Sequence, residues 1–150
     1  MSKLNPIIII VFMFSFISVA THSFALSEGH LSQLQSTGSC KKCDLEGADL
    51  SGSDLSGAEF EKATLSTTNL SGATLTGADF FGADLTDANL SSANLTNSFL
   101  NGADLTNANF DGADLTGANL HGAVTTGASF SNATFCGTIL TDSTTSDSDC

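Results

Sequence analysis

From Cys43 to Asp142 the chain places one large apolar residue in every five and surrounds it with small and polar ones. Written in quintets, the segment opens CDLEG ADLSG SDLSG AEFEK and runs through 20 quintets without an insertion. The third position is Leu or Phe in 19 of them, Thr125 being the exception. The first position is Ala in 15 and the second is Asp or Asn in 12. A register held over 100 residues marks a repeat, in which one small unit buries its apolar residue only by stacking on its neighbours.

A period of five suits neither common element. On a helix, five steps of ~100° leave successive apolar residues ~140° apart, so no single face collects them. On a straight strand an odd period sends them alternately to opposite faces. They share one interior only if the chain turns between quintets. Gly, frequent at the fifth position, supplies the left-handed backbone that such a turn needs. The pattern predicts a closed coil of quintets stacked on itself, with the third positions inside.

Four segments follow: residues 1–25, 26–42, 43–142 and 143–150. In the second, Leu26–Thr37 (LSEGHLSQLQST) reads as a short helix, with Ser27 as N-cap and Leu31 and Leu34 on one face. A Cys-x-x-Cys lead-in follows. The helix is expected to cover the first coil, because the open end of a solenoid exposes both core and strand edges.

In residues 1–25 a short start with Lys3 and no acid precedes an apolar run from Ile7 to Ala20, and small residues follow at Ser18 and Ala20 or Ser23 and Ala25. This is the pattern of a secretory signal peptide, expected to be cleaved after Ala25. The run is shorter than the ~20 residues of a membrane span. The expectation is an exported protein, in the periplasm or secreted, with no stable membrane insertion and with conditions in which disulfides persist.

Charge narrows the partners. With 16 acidic residues against 4 Lys+Arg the formal net charge is −12. Such a surface repels nucleic acid and anionic headgroups, so no nucleic-acid partner is expected and a protein partner is. A search for catalytic chemistry returns nothing. His22 departs with the leader, and His30 and His121 fall in different parts of the chain without a nucleophile that the repeat does not explain. The glycines mark corners rather than a phosphate loop. The Gly-Gly-x-Gly-x-Asp pattern of calcium-binding solenoids is absent, and Cys40–Cys43 has no second pair nearby to complete a zinc site. No cofactor, metal or catalytic residue is expected.

The A-(D/N)-L-x-x quintet resembles the pentapeptide-repeat family over Cys43–Asp142, two thirds of the chain. The resemblance implies an all-β fold: a right-handed quadrilateral β-helix with four quintets per coil, hence about five coils. At ~4.8 Å per coil the column would stand ~24 Å tall. Residues 20 apart would stack, as in Leu50, Leu70, Leu90, Phe110 and Phe130. Phe60 would lie on Phe80, Phe110 on Phe130, and Phe135 beside Phe130. First-position Ala residues would line the corners.

The cysteines sit at the two ends. Cys136 occupies an outward fourth position and can meet Cys150 if the tail folds back, closing a loop of about 15 residues worth roughly 3 kcal/mol. Four cysteines allow three pairings. The expected one is Cys40–Cys43 with Cys136–Cys150, and both groups resemble the ends of exported members of the family.

Three outer features stand out. Asp49, Asn69, Asn89 and Asn109 form a column suited to ladder hydrogen bonds. Phe81 and Phe99 break the polar pattern and make a candidate contact patch. Hydroxyl columns run Ser56, Thr76, Thr96, Thr116 and Ser66, Thr86, Thr106, Thr126, an arrangement that some ice-binding solenoids use. The leading expectation is a non-enzymatic structural or interaction module. The resemblance offers a second, since some members mimic DNA and bind DNA gyrase; the acidity fits it and the leader opposes it. Other members occupy the thylakoid lumen.

Overall fold

The computed structural model of the chain describes residues 23–147 and 150. The expected signal peptide lies, up to residue 22, outside the described residues. From Ser39 onward the backbone is a stack of parallel bridges between residues 20 apart, beginning with Ser39↔Glu59 and Asp44↔Thr64 and ending with Asn119↔Ile139. Only second positions and their equivalents enter these bridges. Each straight stretch is thus a few residues long, and a turn follows it. Four quintets complete a circuit, which gives the column four faces.

The turn is built the same way each time. The first-position N–H donates to the third-position carbonyl of the preceding quintet, as in Ala48 to Leu45 (3.0 Å) and Ala88 to Leu85 (3.0 Å). The fifth position in between has φ > 0 at every quintet from Gly47 to Gly137, which a type II turn requires of its third residue. Side chains other than Gly pay for this conformation at Lys62, Thr67, Asp87, Ser92, Asn97, Asn107 and Asn132. Asn and Asp tolerate it best, whereas Thr67, at φ 56°, is β-branched and fits it worst.

Third-position side chains fill the axis. Leu45, Leu50, Leu65, Leu70, Leu85, Leu90 and Leu105 are fully buried, as are Phe60, Phe80 and Phe110. Phe60 stacks on Phe80 and Phe110 on Phe130, each with centroids 5.0 Å apart, and Phe130 meets Phe135 at 5.6 Å with the rings tilted by 56°. First-position Ala residues are buried as well, from Ala58 to Ala123. The quintet therefore buries two side chains, a large one on the axis and a small one at the corner. Where the small one carries a hydroxyl, burial demands a partner. Thr68 donates to the Leu45 carbonyl (2.8 Å) and Thr138 to that of Leu115 (2.7 Å). The Ser98 hydroxyl, equally buried, has no partner.

The ends differ. Helix α1 spans Ser23–Thr37, beginning before Leu26, so Ser27 is an interior residue and not the N-cap expected of it. Leu34 is fully buried in the core and Leu31 packs against it. The His30 ring accepts the Asp44 N–H at Nδ1 (3.1 Å), and the Gln33 amide donates to the Ser39 carbonyl (3.1 Å). Together they fasten the helix to the start of the column. At the other end, strand β1 (Thr138–Ile139) pairs antiparallel with β2 (Thr145–Ser146). Phe130, Phe135 and Leu140 are only partly covered there. The structure pairs Cys40 with Cys43 and Cys136 with Cys150, with Cα–Cα distances of 5.2 and 4.9 Å.

Candidate interaction surface

Most polar side chains on the faces serve the turns. The second-position Asp or Asn accepts the N–H of the residue two further on: Asp49 from Ser51 (3.1 Å), Asp84 from Thr86 (3.0 Å), Asn94 from Thr96 (3.0 Å) and Asp104 from Thr106 (3.0 Å). A Thr at that fourth position adds its hydroxyl to the same oxygen, at 2.6 Å in Thr86, Thr96 and Thr106. These Asx turns explain the Asp and Asn of the repeat. Within the hydroxyl columns, Ser56, Thr86, Thr96 and Thr106 thus turn their donors onto the turn. The ladder expected on one face runs through Asn69 to Asp49 (3.1 Å) and Asn89 to Asn69 (3.4 Å). It is secondary to the turn bond, which sequence reading missed although Asx-turn chemistry at a recurrent D/N-x-S/T signals it.

The same bonds tune the carboxylates. Asp49, Asp54, Asp104, Asp114 and Asp142 are held below the ordinary value of 3.8, first by the hydroxyl of the Ser or Thr two residues on and then by its N–H. Glu59 is lowered by the Ser39 hydroxyl and then by the Lys41 charge. Charges that stabilise a turn in this way are structural. Among the described residues no three His, Cys, Asp or Glu side chains group where they could hold a metal ion. His121 does have a neighbour that the sequence did not reveal: the Ser143 hydroxyl lies 2.8 Å from its Nδ1. Both are exposed, and the pair ties the tail to the column.

One edge of the column differs from the other three. Its backbone is traced by the bonds Lys42 N–H to Glu61, Lys62 to Phe81, Gly82 to Asn101, Gly102 to His121 and Gly122 to Thr141. Along it lie Lys41, Lys42 and Lys62, the lysines of the described residues. Phe81 stands on it, Phe99 two residues before it and Val124 two residues after it. These three are the exposed large apolar side chains among the described residues, at 48%, 49% and 47% exposure. The register that buries every third position also sets Phe99 between Asp79 and Asn119 on the adjoining face. Lys41 approaches Glu59 (3.4 Å) and Glu61 (3.8 Å), and Lys62 approaches Glu61 (3.7 Å). Such exposed pairs contribute little stability and leave the lysines free to exchange partners. Phe99 pairs through its backbone carbonyl with the N–H of Phe80, the neighbour of Phe81, and the lysines and Val124 lie along the same edge.

The described residues contain no helix long and apolar enough to cross a membrane. No curated protein sequence matches the chain. A family model for pentapeptide repeats matches residues 43–82, 83–122 and 107–142. Among solved structures, a pentapeptide repeat protein of the Arabidopsis thaliana thylakoid lumen is 37% identical at a TM-score of 0.54, covering 73% of this chain and 70% of its own. HetL of Nostoc sp. strain PCC 7120, involved in heterocyst differentiation regulation, is 27% identical (TM-score 0.42; 72% and 68% covered). QnrB1, a plasmid-mediated fluoroquinolone resistance protein, is 28% identical (TM-score 0.38; 65% of each chain). The likeness sets the hand and section of the column as a right-handed quadrilateral β-helix. With 20-residue bridges throughout and the family's quintet over residues 43–142, the chain belongs to the pentapeptide-repeat family.

Proposed function

We propose that the chain is a non-enzymatic, exported interaction module: a rigid acidic column of about five coils, capped by α1, that offers one edge to a protein partner. The observation that carries this reading is the concentration of Phe81, Phe99, Val124 and the three lysines on that edge, while the hydroxyls and carboxylates of the other surfaces are spent on turns. A patch of apolar side chains ringed by charge is the ordinary signature of a contact site. The reading as an exported protein rests on the leader pattern of residues 1–25, and the lumenal relative supports the thylakoid lumen among exported compartments. A column built on Asx turns needs no cofactor.

A photo-crosslinking side chain placed at position 81 or 99, with position 91 as control, tests this in the exported fraction. Capture of a defined partner from 81 and 99 but not from 91 is the expected result. Equal capture from all three, or full-length protein retained in the cytoplasm, would defeat it.

A further inference from the structure

We infer that the partner at this edge is a second copy of the chain, laid antiparallel along it. The inference rests on the interaction reading above and deepens it. The fifth-position column of the edge begins with Lys42 and Lys62 and ends with Asp142. Lys42 and Asp142 are 100 residues apart, five of the 20-residue periods that the bridges define. The midpoint of that run falls midway between Gly82 and Gly102 of the edge, at the level of Phe81 and Phe99. A two-fold axis through the midpoint sets Lys42 against the second copy's Asp142, and Asp142 against its Lys42. The same axis faces Phe81 and Phe99 with their own copies at the centre.

The edge is thus self-complementary in the way an isologous contact requires: at one end Lys41, Lys42 and Lys62 outnumber Glu59 and Glu61, at the other stands the Asp142 carboxylate, and apolar side chains lie between. A parallel arrangement would set lysine on lysine. Gly82 and Gly102 put no side chains between the two backbones at the centre. Lys42 and Asp142 are both exposed. The strip is ~24 Å long and on the order of 12 Å wide, so the buried area falls below the ~1,200 Å² of a stable complex. The net charge of −12 opposes the approach, and salt at ~0.15 M screens it beyond ~8 Å. The association is therefore weak and reversible.

Sedimentation velocity of the full chain from about 10 µM to about 1 mM, in physiological salt, reads it. The expected result is a concentration-dependent shift towards dimer, lost in the double variant Phe81→Ser, Phe99→Ser. Lys42→Asp and Asp142→Lys should each weaken association about two- to ten-fold, since each removes two symmetry-related exposed pairs, and their combination should restore it. Asp142 also accepts the Thr144 N–H at 3.0 Å, so Asp142→Asn, which keeps the acceptor and removes the charge, separates pairing from folding of the tail. All the variants are on the surface, and an unchanged circular-dichroism melt shows that they fold. A monomer at every concentration, or a dimer indifferent to the charge exchange, overturns the inference. A monomer that still crosslinks from position 81 to a different protein overturns the self-pairing alone and leaves the interaction reading in place.

Discussion

Two equivalent positions of the repeat should answer the same substitution with opposite signs. Thr68 and Ser98 both occupy the first position, where Ala is the rule, and both are fully buried. Thr68 donates 2.8 Å to the Leu45 carbonyl, 23 residues back. The carbonyl in the same relation to Ser98 is that of Leu75, and the Ser98 hydroxyl makes no bond to it or to any other group. A buried hydroxyl without a partner costs ~1–3 kcal/mol. Ser98→Ala removes that cost and almost no volume, so the protein should gain about 1 kcal/mol, near the low end because a hydroxyl can rotate. Thr68→Ala gives up a made bond, a net ~0.5–1.5 kcal/mol, and a buried methyl worth roughly 0.8 kcal/mol, so it should lose about 1.5–2 kcal/mol. Thr68→Ser keeps the hydroxyl and should fall in between.

The chain has no Trp or Tyr, so the assay is thermal or urea unfolding followed by circular dichroism rather than by intrinsic fluorescence. For a chain of this size 1 kcal/mol corresponds to about 3–5 °C in Tm. Ser98→Ala should melt several degrees higher and Thr68→Ala several degrees lower. A Ser98→Ala protein no more stable than its parent, or a Thr68→Ala protein that loses nothing, would refute the argument that satisfaction of the first-position hydroxyl decides the sign.

Other outcomes follow from the same geometry. Leu90→Ala, in the fully buried column between Leu70 and Phe110, should cost ~2–5 kcal/mol in urea unfolding, because neighbours held by ladder bonds on both sides collapse poorly into the gap. Thr67→Asn, at φ 56°, should stabilise by about 0.5–1 kcal/mol, since Asn adopts the left-handed conformation more readily than a β-branched residue; an unchanged or lower Tm would contradict it. The carboxylates of Asp49, Asp54, Asp104 and Asp114 are depressed in the folded state, so the unfolded chain binds protons first as pH falls. Their contribution is complete above the unfolded value of 3.8 and is lost as pH drops through the lower folded values. Melting temperature should be flat from about pH 7 to about pH 5 and should fall below about pH 4; a decline already at pH 6 would contradict this.

Much of the column was legible before any coordinates, and the reason is physical. A period of five puts Leu70 and Leu90 in one interior only if the chain turns at each quintet, so axis and corners follow from the register; the stacking of Phe60 on Phe80 needed four quintets per coil as well, which came from the family resemblance. The roles of Asp84 and Asn94 were harder to read. Their side chains bond within the quintet, and a stacked column of like residues suggests bonds between coils first. The end of a helix is set by local backbone choices that periodicity does not constrain, which is why α1 starts at Ser23 and not beside Ser27. For the edge, Phe81 and Phe99 announce themselves by breaking the pattern. Lys41, Lys42 and Lys62 do not, because their gathering appears only when the chain is wound at 20 residues per circuit. The Ser143–His121 contact depends on a tail outside the repeat, to which the period does not speak.

The bridges between positions 20 apart also dictate how such a protein can change length. Excising residues 103–122 would shorten the column by a single storey and return every later side chain to its old azimuth. Excising 68–72 alone would turn all downstream residues by a quarter circuit, parting Phe81 and Phe99 from the lysines above them. Size is therefore quantised in this architecture, and growth or loss in whole storeys is the route by which a longer or shorter relative can keep a binding edge intact.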